Sequence, residues 1–383
     1  MSQTKAQLVS GTTAQDLTVD NINTTSINSG QASGRKNIIR NGAMQVIQRG
    51  TPLTVNANLA RGKTCADLWE VSSDANGTAV FSSSKSTDTP NGFGSSLKLD
   101  VTTADTSIAA DVGTRFLQRF EGQDLQGFKK GSSDALQFTL SFHVKSPKTG
   151  THCIELLDID NNRSVSATYT VSQADTWQYV TNTFPADTTG AFANDNGQSF
   201  IVLWWLAAGS NFSGGTLNTT WNARVEANRA VGQVNVTDNT ANNFYITGCQ
   251  LEVGSTATDF EHRSFGEELA LCQRYFFRYK NDAGDHGHFV SATSYGSDDQ
   301  RAGAFNFPTT MRSAPSFSHS GLSNFQLLGL GSSLTNILIA DAGTSVSGCG
   351  LRVKTNDNLT NGLSTNLRAN NTSNAHFDFN SEL

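Results

Sequence analysis

The stretch from Asn243 to Tyr279 reads NFYITGCQLEVGSTATDFEHRSFGEELALCQRYFFRY, and its change of period decides the fold. Phe244 and Ile246 alternate with Tyr245 and Thr247, the period of two that marks a strand. The alternation resumes after Gly248 at Leu251 and Val253, and Gly254-Ser255-Thr256 ends it. An extended arm, Asp259-Phe260-Glu261, follows. Ser264 and Glu267 have the spacing of a capping box, in which the hydroxyl accepts from the amide three residues on and the glutamate reaches back. Phe265, Leu269, Cys272 and Phe276 then fall on one face of a short helix. A β domain therefore closes at about residue 262, residues 263–279 form a connector helix, and a second unit begins at Lys280.

Outward toward the N-terminus, strand patterns recur with no helical interruption. Leu97, Leu99 and Val101 alternate, as do Leu136, Phe138, Leu140, Phe142 and Val144. Val165, Ala167, Tyr169 and Val171 continue the series, followed by Trp177 and Tyr179. Phe200 to Leu206 is continuously apolar, as suits a central strand covered on both faces. Such spacing predicts an all-β chain whose main body, residues 37–262, is an antiparallel sandwich. Asn41-Gly42 is a turn signal at its start. Residues 1–36 are polar, with Leu8, Leu17, Val19, Ile22 and Ile27 scattered through them, too little apolar surface to fold alone. They read as an extended arm that orders on a neighbouring chain.

Residues 280–383 are again β-like: Phe305 and Phe307 alternate, then Cys349, Leu351 and Val353, then Phe377 and Phe379. This distal unit reads as polar and poor in aromatics, with a thin core for its size. Association of three copies, with Phe265, Leu269 and Phe276 toward the axis, would cover more surface, so a homotrimer is expected.

The totals exclude some classes. Of 383 residues only 16% are charged, against about 25% in ordinary soluble domains. A net charge of −6 without a Lys/Arg run argues against a nucleic-acid partner. The longest apolar run, Phe200 to Ala208, is far short of the about 20 residues of a membrane helix, so no membrane insertion is expected. Met1 to Gly34 carries no secretory-leader pattern. Five widely spaced cysteines, none in a CxxC pair, read as reduced and buried in a chain made in a cytoplasm.

Several ordered segments carry a resemblance. NIIRNGAMQVIQRGTP, ADLWEV, SLKLDV, LQFTLSFHVKSP, DTWQYVTNTF, FYITGCQLEVGSTATDFEHR and FGEELALCQRYF resemble a module recurrent in bacteriophage tail fibres and other tail-associated proteins. The NG opening, the strand near Trp69, the Trp177 strand and the strand before Glu252 also resemble jelly-roll carbohydrate-binding modules. The resemblance covers Asn37 to about Tyr279. Phe307 to Pro315, FPTTMRSAP, is similar to a segment of the distal domain of phage tail fibres. These likenesses imply a jelly-roll, location in the virion tail, docking on other tail proteins through residues 1–36, and recognition of host surface polysaccharide. They also imply that Trp69 and Trp177 pack the sandwich interior. Those modules often carry an acidic residue after the NG that helps hold a structural calcium. Here Met44-Gln45 stands in that place, so the ion is not implied.

Catalytic signatures are lacking: the sequence has no GxSxG, HExxH or P-loop. Glu155, Asp158 and Asp160, the pair Glu267-Glu268, and Asp298-Asp299 are the carboxylates to weigh for glycan hydrolysis, and no catalytic residue is assigned among them. His286-Gly287-His288 sets two imidazoles on one side of a possible strand, and three copies could supply six nitrogens to an iron-like ion. Asp158-Ile159-Asp160-Asn161-Asn162 begins like a calcium loop, but Arg163 and Tyr169 occupy the glycine and glutamate places, so a turn is expected. Glycan binding needs aromatic faces beside amide or carboxyl groups. Trp204 and Trp205 point to opposite faces of one strand, one to the core and the other to a groove; Trp221 sits in a polar stretch without alternation. Tyr295, in the loop Tyr295 to Arg301, and the loop Asn356 to Asn361 are the distal candidates. The sequence thus reads as a non-enzymatic tail fibre or adhesin, with a purely structural virion decoration or connector protein and a glycan hydrolase as alternatives.

Overall fold

The computed structural model describes residues 26–27, 30–31, 35–56, 61–74, 77–280, 286–295, 299–329, 334–356 and 359–383. Most of the N-terminal arm lies outside the described residues, although Ser26–Ile27 pairs with Gly30–Gln31. Where the arm meets the body, Glu261 accepts from the amides of Lys36 and Asn37 at 2.7 and 2.8 Å and pairs with Arg35 at 3.0 Å.

The chain is mostly β, with few short helices. Two antiparallel sheets face each other. One runs in the order Asn222–Ala223, Arg163–Val171, Gly150–Asp158, Gln198–Ala208, Gly113–Glu121, Glu70–Ser73, Gly62–Lys63. The other runs Gln178–Phe184, Phe138–Lys145, Asn243–Val253, Ser96–Thr103, Val80–Ser86, Leu53–Asn56. The alternating residues of both sheets meet in one core, where Trp69 stacks on Phe116 at 4.7 Å and Phe142 meets Trp204 edge-on at 5.4 Å. The apolar run of the central strand serves two clusters. Phe200, Val202, Trp204 and Leu206 enter the core, while Ile201, Leu203 and Trp205 pack outward against Leu117, Leu157 and Phe212.

The strand Asn243–Val253 contains a bulge. Its register against Phe138–Lys145 slips between Thr247 and Gln250. Before the slip Phe244 and Ile246 face the core; after it Cys249 and Leu251 do. One extra residue reverses the parity of the strand, as a bulge must. Gly248 takes a φ of 64° there, and a Cβ on it would meet the Phe93 ring at 2.6 Å.

The Asn41-Gly42 turn is buried rather than a surface hairpin tip. Asn41 Nδ2 donates to the carbonyls of Val46 and Asp67, and a Cβ at Gly42 would meet the Cys249 carbonyl oxygen at 2.2 Å. At one end of the core the buried ammonium of Lys130 lies 2.5 Å from Asp158 and 3.0 Å from Asp187, and donates to the carbonyls of Thr189 and Gly190 at 2.9 and 2.7 Å. Burial pushes Asp187 up, but hydrogen bonds from Arg163 and Lys130 outweigh it and hold the carboxyl below its ordinary value.

The helix is shorter than the four-residue spacing suggests. It spans Phe265–Gln273, capped by Ser264, whose hydroxyl accepts from the Glu267 amide at 3.4 Å. Phe276 is not on it: Phe276–Lys280 is a strand paired with His376–Asn380 in the distal unit. Leu269 and Cys272 pack with Val46, Leu68, Tyr275 and Leu383 of their own chain, while Phe265 is 56% exposed. So the expected apolar face splits among three surroundings.

The distal unit has a three-stranded sheet, Phe276–Lys280, His376–Asn380, Ser316–His319, and a six-stranded one. Its core is not poor in aromatics. Phe277, Phe289, Phe307, Phe325, Phe377 and Phe379 build it, with Phe325 and Phe377 stacked at 5.0 Å. These rings arrive from strands distant in sequence, so a residue-by-residue reading understates them. A core of this size covers itself and gives no physical reason for trimerisation. The two units share a polar seam: Arg274 forks onto Glu121 at 2.8 and 2.7 Å, the Tyr275 hydroxyl donates to the same carboxylate, and Arg49 pairs with Glu382 at 2.6 Å.

Candidate functional site

Because Phe142, Val144, Val180, Phe244 and Ile246 point into the core, their strand neighbours point outward from the six-stranded sheet. Tyr179 stands opposite His143, which stands opposite Thr247; Lys145 stands opposite Tyr245, which stands opposite Lys98. Two cross-strand rows of aromatic and cationic groups result. Tyr179 is 52% exposed, and its ring lies 4.9 Å from the His143 imidazole. Trp177, just before its strand, is half-buried and sets its edge against Tyr245 at 6.1 Å. Lys145 Nζ sits 4.3 Å from the Tyr245 ring centroid and 5.6 Å from that of Trp177. Asp88 ties the row together, accepting from Trp177 Nε1 at 2.9 Å and pairing with Lys145. Those bonds, Lys145 first, hold the Asp88 carboxyl below its ordinary value.

Beside these rows the sheet forms a groove of about 680 Å³ lined by Phe93, His143, Tyr179, Thr181, Phe260 and His262. Phe93 is its hub, within 5.2 Å of His143, 5.1 Å of Phe260 and 5.4 Å of His262. The bulge at Gly248 lets Phe93 close on the strand. Burial lowers the His143 pKa, which favours a neutral imidazole that can donate or accept. Flat rings with interspersed hydroxyl, imidazole and ammonium groups can stack on the apolar face of a pyranose and hydrogen-bond its hydroxyls.

The tryptophans singled out from the sequence lie elsewhere. Trp204 and Trp205 are both fully buried, the first in the main core and the second beneath Phe212, so neither faces a groove. Trp221 is 7% exposed: Nε1 donates to the Pro185 carbonyl at 2.9 Å and the ring meets Phe138 edge-on at 6.3 Å, capping its own sandwich. Trp69 is interior as expected, whereas Trp177, expected there too, lies on the outer face. Tyr295 is 68% exposed next to the strand His288–Ser294; residues 296–298 and 357–358 of the two distal loops lie outside the described residues. His286 lies in a turn and His288 begins the strand, so they do not share one strand face, and both are exposed. Among the described residues no three His, Cys, Asp or Glu side chains gather as a metal site. Four of the carboxylates weighed for hydrolysis serve as counter-ions, Glu155 to Arg229, Asp158 to Lys130, Glu267 to Arg35 and Glu268 to Arg263; Asp160 accepts from the Ala193 amide at 2.9 Å, and Asp298 lies outside the described residues. Only the outward set of one strand was available as a signal, since Ser141, His143 and Lys145 alternate with Leu140, Phe142 and Val144.

No family model matches the chain, and no curated protein matches it. Among solved structures it is similar to the enzymatically active domain of tailspike protein 4 of bacteriophage CBA120, with a TM-score of 0.30 and 14% identity over 57% of this chain and 21% of that one. A structure described as CBM4 gives a TM-score of 0.27 and 10% identity over 56% of this chain and 99% of that one. The family 11 carbohydrate-binding module of a Clostridium thermocellum cellulase, Lic26A-Cel5E, gives 0.26 and 11% over 55% and 98%. Likeness so slight carries no functional argument.

Proposed function

We propose that the open face of the six-stranded sheet binds glycans, and that the protein is a phage tail fibre or tail-associated adhesin that holds host surface polysaccharide without cleaving it. The observation that carries this reading is the outward-facing set of exposed Tyr179 and half-buried Trp177, His143 and Tyr245 beside the groove around Phe93. The tail assignment draws on the ordered sequence motifs that resemble tail-fibre modules. In this reading residues 1–36 dock on other tail proteins, and several copies strengthen a contact that is weak at each site. A homotrimer is part of the proposal, checked by light scattering at micromolar concentration. The receptor site thereby moves from the distal loops to the sandwich.

A glycan array probed with the full chain and with Tyr179→Ala tests it. Binding that Tyr179→Ala weakens supports the groove. Full-chain binding indifferent to that change returns the site to the distal loops, and no binding at all favours a structural connector. Release of reducing sugar from a bound polysaccharide would establish the hydrolase reading instead.

A further inference from the structure

The outer face of the seven-stranded sheet holds a second groove, of about 1000 Å³. It exists because the central strand is apolar on both faces and the segment around Ser210–Ser213 and Glu226–Asn228 roofs only part of the outer one. Leu117, Leu157, Ile201 and Leu203 form its floor. Register sets Arg115 beside Trp205 and Arg119 beside Ile201. Arg115 Cζ lies 4.9 Å from the Trp205 ring centroid and Arg229 Cζ 5.1 Å, so two guanidiniums converge on one indole. Burial and then the charge of Arg229 lower the pKa of Arg115.

Both arginines have partners, Arg115 donating also to the Gly113 carbonyl from Nε at 3.3 Å and Nη2 at 3.0 Å, but Arg229 lacks one for a buried donor. Arg115 pairs with Asp74. Arg229 is 3% exposed, donates from Nε to Glu155 at 2.9 and 3.1 Å and from Nη1 to Glu226 at 2.7 Å. Among the described residues, buried Arg229 Nη2 and Trp205 Nε1 have no hydrogen-bond partner. Buried donors of a cation left without an acceptor are costly, and an anionic oxygen relieves that cost best.

We propose that this groove binds a saccharide bearing a carboxylate, with the carboxylate received by Arg115 and Arg229 and the sugar ring lying on Ile201 and Leu203. The rim decides for a sugar over a purely apolar acid. Gln198, Asn211 and Glu226 line it, and an alkyl body would strip water from them without replacing it, whereas hydroxyls satisfy them. The site is separate from the aromatic groove and does not depend on it.

The test is calorimetric titration of the full chain with a glucuronic-acid-containing disaccharide and with its carboxyl-reduced, neutral counterpart. The acid binds at least about tenfold more tightly, and added salt erodes the difference. Arg115→Gln removes the preference; its partner Asp74 is solvent-accessible and tolerates the loss, whereas Arg229→Gln would strand buried Glu155. Tyr179→Ala leaves acid binding unchanged even where it abolishes binding on the array. Equal affinity for the two disaccharides, no uptake of either, or acid binding that survives Arg115→Gln overturns the proposal.

Discussion

The two outer faces of the sandwich come from sheets that share one core, yet they differ in what they leave open. The six-stranded face carries exposed Tyr179, half-buried His143 and Tyr245, and the buried stem of Lys145 in a mixed outward row. The seven-stranded face carries Ile201, Leu203 and Trp205, sunk beneath a partial roof. Two tryptophans make the contrast sharp. Trp205 has apolar residues on either side and lies buried; Trp177 has a carboxylate, Asp88, for its indole N–H and lies half-open. A tryptophan's identity does not tell an outward-facing residue from a core residue, and neither do polar neighbours or an N–H partner alone, since Trp221 has both and is buried.

The contrast breaks first on stability. Trp205→Ala should cost about 3–5 kcal/mol and Trp177→Ala about 1 kcal/mol, as measured by urea unfolding. Equal costs would mean that the two faces are not different environments. On binding the order reverses: Tyr179→Ala or Trp177→Ala should weaken a glycan found on the array by about tenfold, while Trp205 substitutions act only through folding. Gly248→Ala probes how the bulge shapes the groove. Its φ of 64° and the nearby Phe93 ring predict a loss of about 1–2 kcal/mol in stability together with weaker binding, both visible in one thermal-shift titration.

Two carboxylates extend the comparison to pH. Asp67 is buried at the seam, and burial raises its pKa to about 7, opposed by Arg49 and Gln48. Its folded state holds a proton that the unfolded chain releases near pH 4, so stability falls as pH rises through about 7. Asp67→Asn should flatten the change in Tm between pH 5.5 and 8. Asp88, held low by Lys145 and Trp177, behaves oppositely: its contribution is present above the ordinary carboxylate range and lost only in stronger acid. Groove binding should therefore not change on account of Asp88 between pH 5.5 and 8. The smallest effect expected is that of Tyr295→Ala, within about 0.5 kcal/mol in unfolding.

The sandwich was legible because alternation is a local signal: the inward set Phe138, Leu140, Phe142 and Val144 is buried as read. The Ser264 cap was legible for the same reason, although Glu267, expected to reach back and complete a box, pairs with Arg35. What escaped depends on distance in the chain. Phe276 and Phe277 follow a helix and look helical until their strand partner, His376–Asn380, is known. The bulge at Gly248 shows in sequence as a glycine at which the alternation changes parity, from Phe244 and Ile246 to Leu251 and Val253. The groove needed Phe93, Tyr179 and Phe260 to converge from separate segments, so no single stretch announced it. The tryptophans drew attention by rarity, and three of the four candidate aromatics, Trp204, Trp205 and Trp221, are buried.

The Lys130 ammonium has a wider consequence. Two carboxylates and two backbone carbonyls surround it, the kind of oxygen cage in which a dissolved cation is often held. A dissolved ion leaves such a cage when its concentration falls, because occupancy follows mass action. An ammonium on one of the chain's own side chains is always at hand, whatever the dilution. This corner of the fold carries its counter-ion with it from synthesis onward, and its integrity is set by the sequence instead of by the ionic content of the surrounding medium.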